Sequence, residues 1–265
     1  MRNQKGNTEK DPPLLKINAL SKAFGGVKAI QQVTFGVEPM TVQGLIGPNG
    51  AGKTTLFNLI TGVYKPDSGE ILFCRQTIEG RETHELVALG IARTFQNVEL
   101  FESMTVLENV MVGQYVQTRS GFWSAIARTP FLRREERKSR KEALELLDFV
   151  GLADQAQGRS GDLPFGWQRL LEIARALASK PKMLLLDEPA AGLNAVETKR
   201  LGDLLLQIRE RGISLLLVEH DMSLTMEISD RIAVLDQGKL IAEGKPRDIQ
   251  SNETVMTAYL GKRTT

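Results

Sequence analysis

The sequence predicts an α/β fold: a parallel sheet covered on both faces by helices, with an N-terminal antiparallel β subdomain and an inserted α-helical subdomain. Three observations lead there. Residues 183–186 and 215–218 are wholly apolar runs separated by a helical pattern, as expected of parallel strands buried on both sides. The apolar run 42–46 passes through a glycine-rich loop into a helix-like run at 56–61. From about residue 97 to 162 the texture turns helical, interrupting the alternation of strands and helices.

Taken in order, residues 1–12 read as a disordered polar arm and 13–265 as one domain. Strand-like alternation covers 14–19, 30–37, 41–46 and 70–73. The helical insertion occupies 97–165, with patterns at 106–115, 121–127 and 133–150. The last of these carries Ala143, Leu144, Leu146, Leu147 and Val150 along one side. A helix at 168–178, the two apolar strands and the intervening helix 195–211 rebuild the sheet. A strand pair turns at Asp236-Gln237-Gly238, and residues 240–265 form a C-terminal helical tail.

Composition narrows the function classes. Lys plus Arg total 34 against 32 Asp plus Glu, so charge gives no argument for a nucleic-acid partner. The single cysteine, Cys74, excludes an internal disulfide framework and a cysteine metal cluster, fits a reducing cytoplasm, and reads as a small buried apolar side chain. No apolar run has the length of a membrane span, and the first 13 residues lack the apolar core of a signal peptide. The chain is expected in the cytoplasm, touching a membrane only through partners.

The chemistry concentrates at strand ends. Gly47-Pro48-Asn49-Gly50-Ala51-Gly52-Lys53-Thr54-Thr55 is a phosphate-binding loop in strand–loop–helix context. Its glycines let backbone N–H groups close around an anion, the following helix N-terminus adds its positive dipole end, and Lys53 can reach terminal phosphates. Thr54 is placed to hold Mg²⁺. Strand 183–186 delivers Asp187 and Glu188 to the carboxyl edge of the sheet, where ligands of open α/β folds bind. Asp187 can hold Mg²⁺ there, and Glu188 can polarise a water that attacks a γ-phosphate. Strand 215–218 ends in Glu219-His220-Asp221, which makes His220 a candidate γ-phosphate contact, whereas His84 reads as a solvated residue.

Five motifs in this order carry a family resemblance: Gly47 to Thr55, Gln96 in Ala92-Arg93-Thr94-Phe95-Gln96, Gly166 in Leu163 to Arg169, Leu184 to Pro189, and His220. Together they resemble the ATP-binding cassette ATPases from about Leu14 to Leu260. The resemblance implies a P-loop NTPase, RecA-like core, a helical subdomain, and a head-to-tail dimer closing over two ATP molecules with Mg²⁺. It also implies that Gln96 senses Mg²⁺ and the γ-phosphate and contributes to catalysis with Glu188 and His220. Phe24 matches the aromatic that stacks on adenine; a core phenylalanine is the competing reading.

Residues 91–108, Ala191-Gly192-Leu193-Asn194, Glu219-His220-Asp221-Met222 and the ending Ala258-Tyr259-Leu260-Gly261 are similar to the ATPases of branched-chain amino acid importers. That likeness implies a related but non-identical second ATPase subunit, two membrane permease subunits, and a periplasmic solute-binding protein acting indirectly. It implies a peripheral position on the cytoplasmic face of the inner membrane. The lipopolysaccharide-export ATPase is similar over the same length; Asp221-Met222 and the longer insertion favour the importer. A nucleotide-gated clamp would usually add coiled coils or a second cassette, and no sustained heptads are present. A regulatory ATP-binding module with little hydrolysis is set against the presence of both Glu188 and His220.

Leu163-Pro164-Phe165-Gly166-Trp167-Gln168-Arg169 stands where the family has Leu-Ser-Gly-Gly-Gln-Gln-Arg. Pro164 offers neither hydroxyl nor N–H, and loss of one hydrogen bond to a charged group costs about 1.5–3 kcal/mol. Trp167 suits either packing on a nucleotide or filling an interface. The resemblance implies that the motif acts on the opposite subunit's nucleotide and that similar importer ATPases also replace the serine; the departures at Pro164 and Trp167 lead us to expect an asymmetric pair in which the site on the partner's loop is weaker. The segment 133–142, six basic and three acidic residues, reads as a solvated helix face laced with ion pairs in preference to a membrane-headgroup site. Contact with membrane subunits is expected around residues 98–104.

Overall fold

The computed structural model describes residues 12–94, 99–114, 130–219 and 222–260. Residues 1–11 of the expected arm 1–12, the helix expected at 121–127, and the candidates Gln96 and His220 lie outside these residues.

A four-stranded antiparallel sheet forms from strands β1 (Leu15–Phe24), β2 (Val27–Val37), β4 (Ser68–Phe73) and β5 (Gln76–Thr77), in the order β2-β1-β4-β5. Alternation puts Leu15, Ile17, Val33, Phe35 and Val37 inward, as the two-residue period of a half-buried sheet requires. The second sheet contains β3 (Val42–Ile46), β6 (Ile91–Arg93), β7 (Met183–Asp187), β8 (Ser214–Val218), β9 (Arg231–Asp236) and β10 (Lys239–Gly244) in the order β10-β9-β3-β8-β7-β6. Its pairings are parallel except at the β9–β10 hairpin.

Helix α1 (Lys53–Ile60) follows β3, α2 (Thr83–Leu89) precedes β6, and α3 (Val106–Gly113) and α4 (Pro130–Val150) form the insertion. Helices α5 (Phe165–Ala178) and α6 (Ala195–Glu210) flank β7, α7 (Met222–Ile228) follows β8, and α8 (Pro246–Gln250) and α9 (Glu253–Leu260) end the described chain.

Strands β7 and β8 are buried at all five positions each, and their side chains alternate between two cores. Leu184, Leu186, Leu215 and Leu217 pack with α3, α4, α5 and α6; Leu185, Leu216 and Val218 pack with α1 and the antiparallel sheet. The insertion therefore shares its core with the parallel sheet through α5. Burying one leucine side chain contributes about 1.5–3 kcal/mol, so this continuous leucine seam holds the subdomain to the sheet.

Several boundaries differ from expectation. Helix α5 starts at Phe165: Pro164 occupies its N-cap and Gly166 lies within its first turn, where residues that usually break helices are tolerated. Residues 239–244 belong to β10, because the edge of β9 offers hydrogen-bond partners; the helices of the tail begin at Pro246. Cys74 is half-exposed with φ 50°, since it turns the chain between β4 and β5. The six-basic segment lies on α4, whose buried face is the narrow stripe Ala143, Leu147 and Val150. Its outer face carries Lys138–Glu142 and Lys141–Glu145 ion pairs at 3.8 and 3.6 Å, with Lys180 reaching Glu142 at 2.9 Å.

Candidate active site

Strand β3 ends in a chain path that only glycine can follow. A Cβ on Gly47 would lie 2.1 Å from the Leu235 carbonyl oxygen of β9. The turn continues with Ala51 N–H donating to Pro48 O at 3.1 Å, then Gly52 at φ 105° caps α1. Pro48 is half-buried, Asn49 and Gly50 face solvent, and Ala51 is buried beneath them. Thr54 and Thr55 stand in the first turn of α1, exposed and half-buried respectively. The result is a tight, partly exposed turn leading directly into the positive end of a helix, a position suited to a polyphosphate.

Lys53 lies inside this loop. Only 6% exposed, its Nζ donates to Gly47 O at 2.6 Å and Pro48 O at 3.1 Å. Burial lowers its pKa from the ordinary lysine value, opposed by the negative charges of Glu188 and then Asp187. The phosphate loop and the acid-ended strand, read separately in the sequence, are thus brought into electrostatic contact.

Asp187 closes β7 and is buried. Its Oδ2 accepts from Arg93 Nη2 at 2.8 Å, while Arg93 Nη1 donates to Asn58 Oδ1 at 2.7 Å and Thr61 Oγ1 at 3.1 Å. The guanidinium also sits 5.6 Å from the centre of the Phe57 ring. Burial raises the Asp187 pKa, and the Arg93 charge and hydrogen bond oppose that rise. Arg93 ties β6, β7 and α1 together at the foot of the loop.

Glu188 adopts φ 50°, a left-handed conformation costing about 1–2 kcal/mol for a residue with a Cβ. Its N–H donates to Val218 O at 2.8 Å, and two residues on, Ala190 N–H donates to Glu219 Oε1 at 2.6 Å. The backbone is thus tied to β8 at Glu188 and to the residue after β8 at Ala190. Strain kept at such a point by surrounding bonds is characteristic of functional sites.

Two further candidates take definite places. Phe24, at the end of β1, is 42% exposed, with an edge-to-face contact to Tyr64 at 5.1 Å and Lys22 Nζ 5.4 Å from the ring centre. The ring is therefore a partly exposed surface group and not a core phenylalanine. Gly166 has a packing reason to be glycine: a Cβ there would lie 2.7 Å from Glu197 Oε1 at the start of α6. Trp167 is half-buried against the core cluster of the insertion, and Phe165 is exposed beside Gly192.

Arg93 and Glu219 fall within the sequence motifs with no role of their own evident there, and geometry supplies one. A cation at the end of an apolar strand, in a chain with an acid-ended strand elsewhere, was the available signal for Arg93. Nothing local marks Glu219 as the acceptor for Ala190.

A family profile described as "ABC transporter" matches residues 30–191, and one described as "Branched-chain amino acid ATP-binding cassette transporter" matches residues 239–264. The chain is 45% identical over 251 residues to the high-affinity branched-chain amino acid transport ATP-binding protein LivG of Escherichia coli strain K12, covering 94% of this chain and 98% of LivG. It is 44% identical over 251 residues to the corresponding protein BraF of Pseudomonas aeruginosa, again covering 94% of this chain and 98% of that one. A solved structure of a nucleotide-free ATP-binding cassette from an ABC transporter aligns with a TM-score of 0.82 at 33% identity, covering 94% of this chain and 99% of that chain. One in an ADP conformation aligns at 0.81 and 32%, covering 94% and 99%. The loop around Lys53, the paired acids behind it and this end-to-end likeness lead to one conclusion: the chain belongs to the ABC transporter family and is one of its ATP-hydrolysing cassettes.

Proposed function

We propose that this cassette powers the import of branched-chain amino acids, working from the cytoplasmic face of the membrane beneath two permease subunits and beside a second, related cassette. The observation that carries the substrate class is the likeness to LivG and BraF along nearly the whole chain, extended by the tail match at residues 239–264. In this reading the backbone of Gly47, Pro48, Asn49, Gly50, Ala51 and Gly52 cradles the phosphates. Lys53 gives up its loop carbonyls to meet the terminal ones, and Phe24 stacks on the base. Thr55 sits in the same helical turn as Thr54 and lends its N–H.

Among the described residues no cluster of three His, Cys, Asp or Glu side chains could hold a metal alone. Mg²⁺ would therefore be held by the Thr54 hydroxyl and Asp187 together with phosphate and water oxygens, neutralising charge on the phosphates. Glu188 accepts the proton of the attacking water. Gln96 and His220 complete the γ-phosphate contacts in this scheme, and Gly166 serves the nucleotide of the opposite cassette. Pro164, exposed at the N-cap of α5 with no side-chain cap bond, supports unequal paired sites, the one on the partner's loop being weaker.

A groove of about 450 Å³ between β6, α3 and α5 is the proposed permease dock, lined by Ala92, Arg93, Phe101, Val112, Glu172 and Arg175. Phe101 is 46% exposed, and the Arg175 guanidinium lies 5.9 Å from its ring centre. The buried Asn109 side chain fixes the same residue, accepting from Phe101 N–H at 3.0 Å and donating to Phe101 O at 3.2 Å. Phe101→Ala is expected to reduce transport at least tenfold, the loss of an anchor worth about 1.4 kcal/mol or more, with ATP binding by the isolated subunit intact. Unchanged transport would count against this dock.

The function itself is tested by co-purifying the chain from native membranes, identifying the bound subunits, and reconstituting the complex. Uptake of radiolabelled leucine should depend on ATP and vanish in Lys53→Ala. A complex containing lipopolysaccharide-export subunits, or one that moves no leucine, isoleucine or valine, would overturn the importer assignment.

A further inference from the structure

The turn between β1 and β2 brings the outer end of the antiparallel sheet against the phosphate loop. A Cβ on Gly52 would lie 2.6 Å from Ala29 O and 2.9 Å from Ile30 Cδ1, so the first residues of β2 run along the loop where it enters α1. Phe24 and Val27 are Cα partners across that turn, and paired residues of an antiparallel ladder share a face. Both are exposed, and so is Tyr64. Soluble surfaces usually scatter such groups singly. Here the Phe24 and Tyr64 rings meet, their centroids 5.1 Å apart and their planes at 68°.

Tyr64 reaches that ring from the chain leaving α1, the helix that starts in the loop. Its N–H donates to Asn58 O at 3.1 Å, which fixes the backbone beneath the ring, and Asn58 is itself tied through Oδ1 to Arg93 at 2.7 Å. The same segment then clasps the end of β1. Asp67 N–H donates to Ser21 O at 2.9 Å, and the Asp67 carboxylate accepts from Ala23 N–H at 2.7 Å and from Lys22 Nζ at 2.8 Å. Those bonds place the backbone of residues 21–23 but leave the next side chain, Phe24, its own torsions. Tyr64 limits that freedom, together with the Lys22 ammonium 5.4 Å from the ring centre. Phe24 keeps 42% of its surface open with both neighbours in place, so they brace the ring without covering it.

We propose that Tyr64 is a positioning residue for the nucleotide base: its ring sets the tilt of Phe24 for stacking, so that the chain leaving α1 serves the base as the start of α1 serves the phosphates. This rests on the reading of Phe24 as the stacking residue. An edge-to-face partner favours one orientation of an aromatic ring. A ring already held in that orientation loses less freedom when a flat base arrives, and such pre-organisation appears in affinity. The effect belongs to ligands that carry a base. A bare polyphosphate, held by the loop alone, gains nothing from it.

The test measures dissociation constants of the full chain for ATP and for inorganic triphosphate, each with Mg²⁺. Tyr64→Ala is expected to weaken ATP binding about three- to tenfold, the range of one aromatic pair, and to leave triphosphate binding unchanged. Tyr64→Phe keeps the ring and should bind ATP as wild type does. Phe24→Ala should weaken ATP binding at least about fivefold, the loss of one base–aromatic stack, and in that background Tyr64→Ala should cost nothing more. Equal losses of ATP and triphosphate in Tyr64→Ala would mean that the residue shapes the loop, and would overturn the proposal. So would an added loss in the double variant, which would place Tyr64 on the base itself, or a loss in Tyr64→Phe, which would assign the effect to the hydroxyl. Wild-type ATP affinity in Tyr64→Ala with a loss in Phe24→Ala would overturn the role of Tyr64 alone. Wild-type ATP affinity in Phe24→Ala would overturn the stacking assignment beneath it.

Discussion

Glu188→Gln is expected to lower ATP turnover by the assembled complex at least about a hundredfold, the usual contribution of a positioned general base, while ATP binding persists. Glutamine keeps the shape of the side chain and cannot take a proton from water. The backbone around it keeps its bonds, since Glu188 N–H still donates to Val218 O and Glu219 still holds Ala190. The electrostatic consequence runs in one direction. Glu188 is the larger of the two carboxylate influences that raise the pKa of Lys53 against its burial. Removing that charge also removes repulsion toward a polyphosphate, so ATP affinity should hold or increase. The two effects separate in an equilibrium binding titration paired with steady-state turnover. Retention of turnover would show that Glu188 is not the base, and would also sink the view that this chain's loop hosts the competent member of an unequal pair.

The parts of this arrangement that were legible in the sequence are those specified locally. The phosphate loop is contiguous from Gly47 to Thr55, and its strand and helix flank it directly. Strands β7 and β8 announced themselves as bare apolar runs because both of their faces are buried, one in each core. Helix α2 was missed because it is seven residues long and fully buries only Leu86, with its apolar residues bunched at 86–89, so no helical periodicity stands out. Strand β6 has only three residues. The onset of α5 lies three residues earlier than expected, because Pro164 can serve as its N-cap and Gly166 is tolerated in the first turn. The role of Arg93 was hidden for a different reason. Arg93 meets an acid 94 positions away. Pairings of that range are set by topology, which no local window contains.

Arg93→Ala is the substitution with the largest expected effect on stability. The Arg93–Asp187 pair has side-chain exposures of 12% and 3%, and truncating one partner leaves the other charge buried without its counterion. Breaking a buried pair in this way costs about 3–5 kcal/mol. The cost depends on pH with a definite sign. Burial already raises the Asp187 pKa, and Arg93 is the main opposing influence, so its removal lets that pKa rise further. An acid whose folded pKa exceeds its unfolded value stabilises the folded state below the unfolded pKa and loses that contribution as pH climbs through the folded one. The deficit of Arg93→Ala should therefore be largest at neutral pH and shrink on acidification toward the ordinary aspartate range. Urea unfolding at neutral and mildly acidic pH measures this directly. Arg93→Lys keeps a charge but cannot reach Asp187, Asn58 and Thr61 at once as the forked guanidinium does, so it should recover only part of the loss. The double variant Arg93→Ala with Asp187→Asn removes the stranded charge and should regain most of the stability while remaining without turnover, because the carboxylate assigned to Mg²⁺ is gone. Additive losses in that cycle would show that the two residues do not act as a pair.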